Sequence, residues 1–150
     1  MPKAYIPRKL RQLVIDRAGG CCEYSLSQSR FSPQAFSVEH IKPSHAGGHS
    51  IESNLALSCQ GCNNHKAIKT NASDPLTDLR ASLFNPRREN WNEHFMWNDE
   101  YATMQGITPT GRATVVALRL NREGLVNLRR VLYAMGEHPP VGSKVREANE

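Results

Sequence analysis

His40 directly follows Glu39 and is itself followed by Asn54, by a Cys59-x-x-Cys62 turn and by Asn63. An imidazole titrates near neutral pH and can take a proton from water. Carboxylate and amide oxygens suit a hard divalent cation, which keeps several waters and takes few protein ligands. Hydrolysing a phosphodiester needs a nucleophilic water, an electrophile on the phosphate and a stabilised leaving oxygen, and one histidine with one metal ion can supply all three. In this pattern His40 is the candidate base, Glu39 and Asn63 are candidate metal ligands, and Asn54 could hold the His40 ring in a productive orientation. Lys66, one helical turn beyond Asn63, could reach the same anion. Arg88 is a further candidate phosphate contact, while its neighbour Arg87 is expected to tie the later chain to the core through a carboxylate. Taken singly these residues have plainer roles: a hydrogen-bonded structural histidine, a surface carboxylate, an asparagine at a turn, or Asn63 as a helix N-cap. It is their combination that points to chemistry.

The elements that must position them can be read from pattern. Phe36 to Ile41 alternates as a short strand stopped by Lys42-Pro43, and Ala46-Gly47-Gly48 is a loop. A second strand spans Asn54 to Ser58, and a helix is expected from Cys62 or Asn63 to about Thr70. Adjacent strand residues point to opposite faces, so Glu39 and His40 share a site only if the strand breaks there. Before this core, Pro7 to Ala18 reads as an amphipathic helix with Gly19-Gly20 as its stop. After it, Leu76 to Leu83 fits either a helical turn or an extended arm. Phe95 to Asn98 and Tyr101 to Ile107 suggest a hairpin. Thr108-Pro109 offers an N-cap for a helix over Thr110 to Leu120, and a last helix is expected over Arg122 to Met135. Trp91, Phe95 and Trp97 are assigned to a core rather than to base stacking.

The chain has 150 residues, enough for one domain or a small catalytic core with an extension. Its formal charge of +5 and pI near 9.2 favour an anionic partner such as nucleic acid. The apolar runs are far shorter than the ~20 residues that cross a bilayer, and the first residues show no secretory pattern. A reducing, cytoplasmic setting is expected, with Cys21, Cys22, Cys59 and Cys62 as thiols or metal ligands.

The run EHIKP, then GG, then NLALSCQGCNNHK resembles the HNH endonuclease family, whose fold is a ββα-metal finger. By that resemblance His40 corresponds to the general base, Asn54 to the middle asparagine, Asn63 to the last position of the motif, and Glu39 to the acidic metal ligand. The Leu83-Phe84-Asn85-Pro86-Arg87 segment with Trp91 and His94-Phe95 is similar to an extension in bacterial members. Many members carry two C-x-x-C pairs around a structural zinc; here Cys59 and Cys62 are intact but Ser25 stands where Cys22 would have its partner. Serine is a poor zinc ligand. A site built on Cys22, Cys59 and Cys62 therefore leaves zinc open, with His45, His49 or His65 as possible fourth donors and no spacing that selects one.

The expectation is an α+β protein: an N-terminal helix over 1–19, a ββα-metal core over 20–72, an extension of hairpin and helices over 73–137 packed on the core, and a flexible tail over 138–150. Its expected activity is metal-dependent cleavage or nicking of DNA with weak sequence specificity, using Mg²⁺ or Mn²⁺. RNA is left open, as is the oligomeric state. The alternatives are a non-catalytic, zinc-knuckle-like nucleic-acid-binding protein, and a protein-interaction role for the Leu125 to Met135 helix.

Overall fold

The computed structural model describes residues 4–140 and shows an α+β architecture. Helix α1 (Arg8–Arg17) is followed by a polar knuckle and by an antiparallel ribbon of β1 (Ser37–His40) and β2 (Leu55–Ser58). Helix α2 (Gln60–Lys66) comes next. Hairpin β3 (Asn71–Ser73) and β4 (Arg80–Ser82), the short helix α3 (Trp91–His94), hairpin β5 (Phe95–Trp97) and β6 (Met104–Gly106), and helices α4 (Pro109–Ala117) and α5 (Glu123–Ala134) complete the chain. Each sheet is a two-stranded antiparallel ribbon. Among the described residues no helix is long and apolar enough to cross a membrane.

The β1–β2 ribbon is covered on both faces, which is why it is stable at four residues per strand. Val38, Leu55 and Leu57 pack with Val14 of α1 and with Ile6. Ala56 belongs to the larger core with Cys22, Tyr24, Trp91, Phe95, Trp97, Leu118 and Leu120. The three aromatics at 91, 95 and 97 fill this core as expected, with ring centroids 5.2 and 5.4 Å apart. Each such ring buries ~150–250 Å², so this group carries much of the extension's attachment. Trp91 Nε1 donates to the Tyr24 carbonyl at 3.2 Å, and Arg87 pairs with Glu23, so the extension is tied to the knuckle by polar as well as apolar contacts.

Several boundaries differ from the sequence reading, α2 ending at Lys66 and β6 starting at Met104 among them. Helix α2 begins at Gln60, capped by Cys59, so Asn63 lies inside it and is not an N-cap. The undecided stretch after Asp74 is the β3–β4 hairpin, pinned where Arg112 forks onto the buried Asp74 carboxylate at 2.8 and 2.9 Å. The tail expected from residue 138 starts with a packed residue: His138 is buried edge-on against Trp97, and burial pushes its imidazole down to about 4. The rest of that tail, residues 141–150, lies outside the described residues. Elsewhere the expected signals hold, including Thr108, whose hydroxyl accepts from Gly111 N–H to cap α4.

Candidate active site

Directly opposed residues of an antiparallel pair share a face. The register His40↔Leu55, Glu39↔Ala56, Val38↔Leu57 therefore sends His40 to the α1 side and Glu39 to the α2 side, with no bulge to bring them together. Glu39 is buried, accepting from the Tyr24 hydroxyl at Oε1 and from Lys66 Nζ at Oε2, 3.0 Å away. Lys66 is only 2 % exposed and also donates to the carbonyls of Ile41 at 3.0 Å and His40 at 3.4 Å. Both Glu39 oxygens and the Lys66 ammonium, expected from sequence to meet a metal and a phosphate, thus have protein partners. The reason is that the strand turns Glu39 inward, and a buried charge needs a buried partner, which the inner face of α2 provides. Burial pushes the Glu39 carboxyl above its ordinary range despite the attraction of Lys66.

His40 is half-buried at the end of β1, with Nε2 2.9 Å from Ser50 Oγ. Burial, and then the nearby Lys66 charge, lower its affinity for a proton. The ring is thus neutral at physiological pH, as a general base must be. Asn54 does not touch the ring. Its Oδ1 accepts from Lys42 N–H at 2.9 Å, and its Nδ2 donates to the carbonyls of Lys42 and His49, both at 3.0 Å. Asn54 therefore closes the loop between the strands, next to Ser50. Gly48 is required for that closure: a Cβ there would lie 1.8 Å from the Lys42 carbonyl oxygen.

A cleft of about 500 Å³ opens beside β1 and is lined by His40, His45 and Asn63, with Glu39 at its border. Among the described residues the Asn63 side chain has no hydrogen-bond partner, which leaves its amide oxygen available to a ligand. His45, one of the possible zinc donors considered from sequence, is exposed on the cleft wall. A second cleft of about 680 Å³ lies across the Lys42 to Gly48 loop and is bordered by Lys42, Lys69 and the exposed Arg88. Ser50 escaped the sequence reading because it stands in no recognisable motif position, and His45 was considered there only as a possible zinc donor. The Gly47-Gly48 pair was the only local hint that the loop folds back.

Cys22, Cys59 and Cys62 form a buried cluster whose sulfurs lie within 4.8 Å of one another, and no histidine joins them among the described residues. Ser25 Oγ is 3.8 Å from Cys59 Sγ, in the place of a fourth donor. Hydrogen bonds from Cys22 and Cys62 push the Cys59 thiol below its ordinary value, whereas burial pushes the Cys22 thiol above it. The chemistry of this set fits a thiophilic ion such as zinc, with three sulfurs and one weak oxygen.

The strand, loop, strand and helix that carry these residues are the order that the motif implies. No curated protein and no solved structure matches the chain. Residues 21–68 match the family model of the HNH endonuclease, and this segment of the chain is a domain of the HNH endonuclease family.

Proposed function

We propose that the protein is a metal-dependent HNH endonuclease that cuts or nicks DNA with weak sequence specificity. The observation that carries this reading is His40: a half-buried, neutral imidazole, held at Nε2 by Ser50, on the wall of a cleft that it shares with the unbonded amide of Asn63. With Nε2–H donating to Ser50, the Nδ1 lone pair takes the proton of the attacking water. Asn54 positions this pair by closing the loop that carries Ser50. A divalent ion, Mg²⁺ or Mn²⁺ in this reading, would be held by the Asn63 amide oxygen together with phosphate oxygens and water; when bound it polarises the phosphate and stabilises the leaving oxygen. Glu39 contributes by fixing Lys66 and the strand end, not as a ligand.

Arg88, Lys42 and Lys69 along the neighbouring cleft supply the positive lining for a phosphate backbone, in keeping with the formal charge of +5. Among the described residues no base-reading helix is marked by sequence or placement, which is the ground for weak specificity. A cytoplasmic setting belongs to this reading, since reduced thiols are needed at the cysteine cluster.

The test is cleavage of supercoiled plasmid by wild-type and His40→Ala protein in EDTA, Mg²⁺ or Mn²⁺. Metal-dependent nicking that falls ~10²–10⁴-fold in the variant is the expected result. The engagement of Glu39 by Lys66 favours a second reading, a nucleic-acid-binding domain without turnover. Folded protein that shifts DNA but fails to cleave it with any of these metals would establish that reading instead.

A further inference from the structure

The cysteine cluster has a partner from the far end of the chain. Arg122, the residue before α5, places its guanidinium over the Cys59-x-x-Cys62 turn, with NH2 3.4 Å from Cys59 Sγ and NH1 3.6 Å from Cys62 Sγ. NH2 is also 3.7 Å from Cys62 Sγ, and NH1 is anchored by the carbonyls of Leu118 at 3.3 Å and Arg119 at 3.2 Å. The guanidinium lies against Gly61, where a Cβ would come within 2.4 Å of NH2 and 2.7 Å of Cζ. The turn is therefore shaped to admit this side chain. Arg122 bonds the two sulfurs of the turn, and no bond from it to Cys22 or Ser25 is present among the described residues, while all three sulfurs stay within 4.8 Å of one another.

We propose that Arg122 is the charge partner of a three-cysteine zinc centre, coupling metal binding to the seating of α5 on the HNH domain. Three thiolates around Zn²⁺ carry a net charge of −1, which is costly in a buried place. A zinc site with a neutral serine as fourth donor is also weaker than one with four good ligands. The guanidinium cancels the residual charge and donates charge-assisted N–H···S bonds that orient two of the sulfurs, the part played by outer partners of metal ligands. The ion in turn holds the sulfurs where Arg122 can reach them, so either partner stabilises the other's position.

This inference does not depend on the nuclease reading, because its readouts are metal affinity and helix protection. Full-length wild-type, Arg122→Lys and Arg122→Ala proteins would be titrated with Zn²⁺ against a chromophoric chelator and with Co²⁺ by absorbance. Wild type should take up one ion with a tetrahedral, thiolate-rich Co²⁺ spectrum. Arg122→Ala should bind ~10–100-fold more weakly, with Arg122→Lys between the two because it keeps the charge but not the forked geometry. Stripping zinc from wild type should raise amide exchange at the start of α5. Absence of Zn²⁺ and Co²⁺ binding by wild type would overturn the proposal. So would unchanged affinity in both variants, or α5 protection that ignores the metal. Should Arg122→Ala fail to fold, Arg122→Lys alone decides.

Discussion

The Glu39–Lys66 pair allows a quantitative test of whether these residues support the fold or serve the chemistry. Lys66→Met keeps the volume of the side chain and removes its charge. It strips Glu39 Oε2 of a donor at 3.0 Å and leaves the Ile41 carbonyl, also at 3.0 Å, without that partner. The two side chains are 2 % and 6 % exposed, so water cannot take the place of the ammonium. Removing one member of a buried pair costs about 3–5 kcal/mol. Tyr24 still bonds Oε1, which places the expected loss toward the lower end of that range. For a chain of this size 1 kcal/mol moves Tm by about 2–4 °C, so Lys66→Met should melt on the order of 10 °C lower. Glu39→Gln should cost a similar amount. The double variant, with both charges gone, should recover part of it, giving a coupling of ~1–3 kcal/mol in the cycle. Urea unfolding of the four proteins at fixed zinc measures this directly. Additive losses, or a Lys66→Met protein as stable as wild type that has merely lost affinity for DNA, would refute the reasoning and return Lys66 to a phosphate-binding role.

Other outcomes follow from the loop and from His40. Gly48→Ala drives a Cβ toward the Lys42 carbonyl, so the loop must open and release Asn54; cleavage should fall on the order of 10²-fold while far-UV circular dichroism stays native. Native-like cleavage would show that loop closure does not position the base. His40 is held below its ordinary value of 6.5 by burial and by Lys66, so the neutral, active form persists to lower pH; the acid limb of single-turnover cleavage at saturating metal should have its midpoint below pH 6.5. A midpoint above pH 6.5 would contradict this. The same shift makes the stability contribution of His40 complete above the unfolded value and lost as pH falls through the folded one.

The chemistry-bearing residues were legible because their types are few and their order is specific: a histidine at a strand end, a glycine pair, an asparagine before a strand and a C-x-x-C turn. Periodicity likewise revealed α1, the ribbon and the last two helices, since a helix or strand that buries one face writes that face into the sequence at a fixed spacing. The roles of several of these residues depended on the tertiary structure. Alternation says that Glu39 and His40 diverge, but not which of them faces the core; the covering of the ribbon by α1 on one side and α2 on the other decided that, and with it the pairing of Glu39 with Lys66, 27 residues away. Asn54 acts on a backbone loop rather than on a ring, a distinction invisible until the loop closes. Arg122 meets Cys62 across 60 residues, and no local pattern marks such a contact, because long-range pairs are selected by packing and not by spacing along the chain.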